Sequence, residues 1–592
     1  MAETILHRLH EQGRTRPNAP AYYHKANGAW VATLWRDYVA QVRQAGRALI
    51  ALGVEPGDIV CILGFNRPEW VIMDLAGMLV GGATAGIYTT NSAGEVQYIT
   101  NHAEAKVILL EDEGQWEKID QERDNLPHLK HIIMMKGTKI DNDPMALSWD
   151  EFMAKGDETD ESEVDARLDA LKMEDMATLI YTSGTTGPPK GVMLSHETLA
   201  WTAKQARFVF DLQPDDSTLS YLPLSHIAEQ MFTIHAQATF GYQVYYAESG
   251  LKVADNLKEV QPSILFGVPR VWERFHDGVR ARLAEATGAR AKIAEWAQGV
   301  GHQVTGLRNQ GQEPAGLLAI QYAIANKLFF SKVKEALGLS RAIYCVSGAA
   351  PIPPHILEFL AGLDLVVYEI YGQSEGCGPT TTNRPSMTKF GTVGPAWPGS
   401  EVRLGDDGEI LMKGPNVFMG YYKNPEATAE TLIDGWLHSG DLGKFDSDGY
   451  LSIVGRKKEI IITSGGKNIA PKNIEAALRK LDLVANAIIV GEQRRFLTAL
   501  ITLSPEAVEK FAQDNNIQGG NWHENPAIVA EIQRGIDEEV NREFARVEHV
   551  RGFRILPEDF SVEGGELTPT LKLKRAVIYN KYADTIETLY DS

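Results

Sequence analysis

Cysteine is scarce in this chain: three in 592 residues, at positions 61, 345 and 377, far apart and in or beside apolar runs. That excludes a disulfide scaffold and zinc-ligand spacing, and predicts buried thiols in a reducing, cytoplasmic setting. Long uncharged apolar runs are also lacking. The longest apolar stretch, 70–88, contains Asp74 and several glycines, so it reads as a buried helix rather than a membrane span. The opening residues, MAETILHRLHEQGRTRP, have neither the apolar core nor the cleavage site of a secretory signal. Positive charge is not in excess either. A formal net charge of −20 argues against nucleic-acid binding, whose footprint is basic. It also means that any polyanionic ligand must be held by local donors against an unfavourable overall field. Internal repeats and low-complexity segments are missing.

What is present is the composition of a globular protein, 44% hydrophobic and 23% charged, in a chain long enough for at least two domains. Helical periodicity over 38–52 stops at Gly53, and 58–63 and 106–110 read as buried strands flanking an apolar helix. The alternation recurs over 176–268 and 342–371, which predicts an α/β fold with largely parallel sheets covered by helices. Residues 273–336 break the rhythm as a charged helical insertion. From about Gly391 short strands alternate with turns at Asp407-Gly408, Asp434-Gly435 and Asp448-Gly449. The tail from 457 reads as a small α+β unit: a helix over 471–481, two strands, then a long helix. In that helix Ile528, Ile532, Ile536, Val540 and Phe544 form a core stripe. The expected division is therefore 1–456 and 457–592.

The strongest chemical signal is YTSGTTGPPKGVMLSH, residues 181–196. A hydrophobic strand feeds a loop with hydroxyls at Thr182, Ser183, Thr185 and Thr186, glycines at Gly184 and Gly187, and then Lys190. Glycines let backbone N–H groups approach phosphate oxygens, and a lysine adds a point charge. The P-loop of NTPases does not fit, because no glycine directly precedes Lys190 and Gly191 stands where the magnesium-binding hydroxyl would be.

This segment resembles the signature of the AMP-forming adenylating enzymes, which include acyl-CoA synthetases, peptide-synthetase adenylation domains and luciferases. Three further segments carry the resemblance. In YEIYGQSEG (368–376), Gly372-Gln373-Ser374-Glu375-Gly376 also satisfies G-x-S-x-G, but the CGPTTTNRPS that follows cannot readily make the helix a hydrolase elbow requires. The resemblance implies that Tyr371 stacks on adenine, Ser374 contacts the α-phosphate, and Glu375 holds magnesium together with Thr182. Upstream, Gly348, Ala349 and Ala350 would wall the adenine pocket. In WLHSGDLGKFDSDGYLSIVGR (436–456), Asp441 and Arg456 would hold the ribose. Asp446 and Asp448 are spaced suggestively for calcium, but the EF-hand pattern and its closing glutamate are missing. In TPTLKLKR (568–575), the family register places the catalytic lysine at Lys572 with Arg575 trailing. Leu571 replaces the usual glycine there, and Lys574 is a competitor for the role.

The implied reaction uses ATP, Mg2+ and coenzyme A. A carboxylate attacks the α-phosphorus to give acyl-AMP and pyrophosphate, and a thiol then displaces AMP. Catalysis rests on positioning and electrostatics, not on a protein nucleophile. The resemblance also implies a C-terminal domain that rotates between the two steps, with its hinge at Lys458 and the loop 464–468 facing the pantetheine path. YLPLSHIAEQM (221–231) resembles an acyl-site segment containing His226, although a satisfied core histidine fits that position too. GVPRVW (267–272) resembles the gate of long-chain fatty acyl-CoA synthetases, with Trp272 as the gating aromatic. The expected substrate is thus a long-chain fatty acid in an apolar tunnel. The alternative is a fatty acyl-AMP ligase that serves a carrier-protein thiol. Peripheral membrane contact is compatible with such a substrate, but no amphipathic anchor stands out, and oligomeric state is not readable.

Overall fold

The computed structural model describes residues 3–182, 188–465, 467–517, 519–562, 564–568 and 572–590. Its large N-terminal part holds two eight-stranded sheets and a five-stranded one. In the first eight-stranded sheet, Ile59–Leu63 pairs in parallel with Ala83–Ile87 and Val107–Leu110. All fourteen residues of these three strands are buried, as expected of parallel strands covered on both faces. The second sheet runs Tyr344–Ser347, Ile264–Gly267, Ser217–Ser220 and Gln243–Tyr246 through its middle, again in parallel. Helices Trp35–Ala51 and Pro68–Leu79 contribute to a core that takes in residues of both sheets, including Ile62, Val107, Val244 and Val346.

The expectation of parallel sheets holds at their centres and gives way at two edges that matter. Met176–Thr182 and Lys190–Ser195 form an antiparallel hairpin, as do Val367–Gln373 and Gly378–Thr382. The strands flanking the phosphate-loop segment, and the YGQSEG segment, therefore belong to antiparallel hairpins at sheet margins. Gly372 is obligatory in the second hairpin, because a Cβ there would lie 1.6 Å from the carbonyl oxygen of Gly378. The helical stretch 273–336 appears as a set of helices, among them Pro269–Ala284, Ala289–Arg308 and Gly316–Ala325.

The smaller C-terminal part has its own core around Ile474, Ile489, Ala499 and Ile501. Its three-stranded sheet joins Val484–Val490, Leu497–Leu503 and Val550–Ile555. The single long helix expected here is two: Pro505–Asp514, then a helix starting at Pro526. Ile528, Ile532, Ile536 and Val540 are buried as expected, while Phe544 lies just past the helix end. A spacing of four residues overshoots a 3.6-residue turn, and the widened π turn at Ile536–Val540 absorbs the excess.

Candidate active site

Strand register builds the site's centre. Trp436–Phe445 and Leu451–Arg456 pair so that Asp441 lies opposite Arg456. Arg456 Nε donates to Asp441 Oδ1 at 3.0 Å, and Tyr371 Oη donates to Oδ2 at 2.7 Å. Asp441 is buried, and Ser439 Oγ accepts its backbone N–H at 3.1 Å. Burial, then the charge of Asp441, pushes the Tyr371 phenol well above its ordinary pKa, so it stays a donor. Three residues from two motifs thus form one connected group.

A second group forms on the neighbouring hairpin tips. Ser374–Gly376 is a single 3-10 turn followed by a returning strand, so the hydrolase elbow is excluded by geometry. Ser374 is buried, and Gln373 and Glu375 are half-buried. Glu375 Oε1 accepts from Tyr421 Oη at 2.8 Å, and Lys190 Nζ stands 4.9 Å from the centre of the Tyr421 ring. The short strand Gly420–Tyr421 pairs with Lys190–Ser195, which is how Tyr421 reaches both. Sequence reasoning missed Tyr421. Its only signal is an aromatic pair after a Gly, and its role depends on a pairing more than 200 residues away in the chain. Thr182 pairs with Lys190 across the hairpin, and its hydroxyl donates to the Lys190 carbonyl at 3.4 Å. Ser183, Gly184, Thr185, Thr186 and Gly187 lie outside the described residues.

The expected adenine wall follows strand Tyr344–Ser347. Gly348 is packed so that a Cβ would meet Ile370 Cγ2 at 2.8 Å. Ala349 has a left-handed φ of 69°, a conformation that costs a non-glycine residue about 1 kcal/mol or more. Ala349 and Ala350 are both exposed.

Lys572 reaches this site from the C-terminal part. The Thr568 N–H donates to the Lys572 carbonyl at 2.8 Å and the Lys572 N–H to Thr568 Oγ1 at 3.0 Å. Lys572 is exposed. Desolvation, then Arg456 and Lys472, lowers its ammonium pKa to about 8, against the opposing pull of Asp441 and Glu375. Every charge named there except Lys472 belongs to the two groups above. Lys574, by contrast, caps helix Arg575–Lys581. Arg575, the trailing basic residue of the motif, is a structural group of the small domain. Its Nη1 and Nη2 lie 2.8 and 3.0 Å from the Glu475 carboxylate oxygens.

His226 caps the turn Ile227–Gln230, its Nδ1 accepting the Ala228 N–H at 3.2 Å. Burial, then the positive charge of Lys572, lowers its pKa to about 4, so the ring is neutral near pH 7. The following Glu229 is buried and accepts from Ser220 and Thr233 hydroxyls at 2.7 and 2.8 Å, anchoring the segment to its strand. Trp272 is fully buried, donates from Nε1 to the Gly267 carbonyl at 3.2 Å, and shares a core cluster with Tyr221. Asp446 and Asp448 both hold Lys389, so a cation already serves them.

The AMP-binding enzyme family model matches residues 9–422, and the model of the AMP-binding enzyme C-terminal domain matches 458–592. The chain belongs to the AMP-binding enzymes. It is 40% identical to the long-chain-fatty-acid–CoA ligase ACSBG2 of Xenopus laevis, covering 96% of this chain and 81% of that one. It is 36% identical to the long-chain-fatty-acid–CoA ligase FadD15 of Mycobacterium tuberculosis, over 100% of this chain and 97% of that one. Among solved structures, the adenylation domain of a Mycobacterium chelonae carboxylate reductase superposes with a TM-score of 0.75 at 21% identity, covering 100% of this chain and 92% of that one. That likeness concerns the fold. In this AMP-binding enzyme, strand pairing and side-chain hydrogen bonds join Tyr371 to Asp441 and Arg456, and Glu375 to Tyr421.

Proposed function

We propose that this protein activates long-chain fatty acids with ATP and transfers them to coenzyme A. Fatty acid and ATP give acyl-AMP and pyrophosphate, and coenzyme A then gives fatty acyl-CoA and AMP. The observation that carries the reading is the bonding of Asp441 to both Tyr371 and Arg456, with the charges of Arg456, Asp441 and Glu375 felt at Lys572 from the C-terminal part. The ligase names of relatives at 36–40% identity supply the substrate class.

In this reading Asp441 accepts the ribose hydroxyls, fixed by Tyr371 and Arg456. Tyr371 presents its ring to adenine beside Gly348, Ala349 and Ala350, while Gly372, Gln373 and Ser374 line the approach to the α-phosphate. Lys190 and the loop Thr182–Gly187 hold the pyrophosphate end. Lys572 offsets the negative charge shared by carboxylate and α-phosphate as the bond to pyrophosphate breaks, a preorganised electrostatic role. Neutral His226 orients the acyl carboxylate or the thiol without adding charge, and Trp272 gates the acyl tunnel. Glu375, with one oxygen tethered by Tyr421, and the Thr182 hydroxyl are hard oxygen donors and fit magnesium, which keeps most of its shell as water and phosphate. These two residues would hold it, and when bound it neutralises phosphate charge.

The domain division 1–456 and 457–592, with Lys458 as hinge, belongs to the same proposal. Lys457 is tied to Asp407 and Glu409 at 2.6 and 3.1 Å, on the large domain. Glu459 is tied to Lys472 at 3.0 Å, on the small one. Exposed Lys458 between them is where the two sets of restraints part. Rotation there would withdraw Lys572 after the first step.

Incubation with ATP, palmitate and coenzyme A tests the function, with products separated by mass. The expected product is palmitoyl-CoA with AMP and pyrophosphate. Accumulation of acyl-AMP without thioester would replace the proposal by a ligase for carrier-protein thiols, and the absence of both products would end it.

A further inference from the structure

Helix Gly316–Ala325 runs on through a widened turn, Asn326–Phe330, into Ser331–Leu337. One face packs inward: Ala325 and Phe330 are fully buried against Ala297, Val300 and Val304. The other face carries Leu317, Ile320, Ile324 and Leu328, exposed by 71, 60, 46 and 43%. At about 100° per residue these four fall within an arc of about 80°, so they form one stripe rather than scattered exposures. Contiguous apolar surface of this kind is left bare when something other than water covers it in use.

Charge indicates what covers it. Residues 289–337 hold six Lys and Arg (290, 292, 308, 327, 332, 334) against three acids (295, 313, 335), in a chain of net charge −20. Among the described residues Arg308 and Lys334 are engaged by Glu313 and Asp364. Arg290, Lys292, Lys327 and Lys332 are exposed and form no ion pair among the described residues. Lys327 lies next to Leu328 on the stripe, and Lys332 lies one turn beyond it. An apolar stripe bordered by free cations complements an anionic lipid surface, with side chains entering the acyl boundary and ammonium groups meeting headgroups. A symmetric pairing of this face with its own copy would instead set these cations against one another. No described helix is long and apolar enough to cross a membrane, so contact at this face would be superficial.

We propose that the outer face of 316–332 docks this protein on the surface of a bilayer containing anionic lipid. The same helix continues inward: Phe329, Val333 and Leu337 pack on the cluster that contains Trp272 and Tyr221. The docked face therefore lies back to back with the apolar cluster assigned to the acyl gate. Delivery of a fatty acid from bilayer to gate rests on the function proposed above; binding to the bilayer does not.

The test is sedimentation of the full chain with vesicles of phosphatidylcholine alone and of phosphatidylcholine with phosphatidylglycerol. Wild type is expected to partition onto the mixed vesicles, less so as salt is raised. Replacing Leu317, Ile320 and Ile324 together by Ser is expected to lower partitioning at least about tenfold. Lys327→Glu with Lys332→Glu is expected to lower it on the order of tenfold on the mixed vesicles and little on phosphatidylcholine. ATP–pyrophosphate exchange with albumin-delivered palmitate and the thermal melt serve as controls and should stay at wild-type levels. If wild type fails to bind the mixed vesicles, or neither variant changes its binding, the proposal falls. It also falls if light scattering shows a dimer that the triple variant dissociates while vesicle binding is unchanged. Because vesicle binding is read without turnover, failure of the enzymatic proposal would leave this result interpretable.

Discussion

Two acid–arginine pairs in this molecule use the same charges for different ends. Arg575 meets Glu475 through both terminal nitrogens, and it also donates to the Ile489 carbonyl at 3.0 Å and to Tyr579 Oη at 3.2 Å. Glu475 Oε1 accepts the Ile489 N–H at 2.8 Å, and both side chains are largely buried. Burial alone would lower the Arg575 pKa, but Glu475 and then Tyr579 outweigh it and raise it. Arg456 meets Asp441 only through Nε, and its side chain is 41% exposed. Among the described residues its terminal nitrogens make no hydrogen bond. A buried pair joined through both terminal nitrogens, with Arg575 Nε alone unpartnered, holds a domain together, whereas a part-exposed pair that leaves its terminal donors unspent can hold a ligand. Breaking each pair should therefore produce different failures.

The largest effect is expected from the buried pair. Removing one partner strands a buried charge, so Arg575→Met should lower stability by about 3–5 kcal/mol. Chemical denaturation of the full chain should show an early transition of the small domain, and an unchanged midpoint would contradict the structural assignment. Next comes Lys572→Ala, expected to slow acyl-adenylate formation about 10³-fold, or about 4 kcal/mol, without a comparable loss of stability. Thioester formation from supplied acyl-adenylate should be spared. Equal loss in both half-reactions, or an equal effect from Lys574→Ala, would remove Lys572 from its role. Asp441→Asn should follow at about 10²-fold in kcat/KM for ATP, about 3 kcal/mol, since it weakens one ribose acceptor and the anchor of Tyr371 and Arg456. Were the same variant to unfold the protein rather than spoil nucleotide use, the contrast between the pairs would collapse.

Much of the site could be read from the sequence because its elements are local. The hydroxyl-rich loop, Tyr371–Glu375 and Asp441 each sit in a short run whose chemistry is visible without the fold. Gly372 is explained by contact with Gly378, six residues away. What stayed hidden depends on distant pairing. Tyr421 binds Glu375 only because its strand adds to the hairpin edge beside Lys190. Arg575 was readable only as the trailing basic residue of a motif, because its partner lies 100 residues back, on a helix the motif does not include. Residues 316–332 read as helix, but their exposed stripe depended on knowing which face meets Ala297 and Val300. The π turn in the C-terminal helix was also foreshadowed only by a spacing slightly too long for an α-helix.

The smallest expected effect lets the open pair be probed by protons. Lys572 works as a cation, and in the free enzyme its pKa is held at about 8, first by desolvation and then by Arg456. The cation dominates below that value and is lost as pH rises through it, so kcat/KM for ATP in the adenylation step should fall above about pH 8, approaching tenfold per pH unit. The profile of kcat should break at higher pH, because bound phosphates favour the cation. Arg456→Met removes the second-largest cause of the low value and should shift the kcat/KM break upward, even though it weakens ribose binding at every pH. Glu475→Gln, on the buried pair, should leave the break where it is in whatever fraction remains folded. If both variants move the break equally, or neither does, then the charge of Arg456 is not felt at Lys572, and the cleft does not couple the small domain's lysine to the ribose-binding pair.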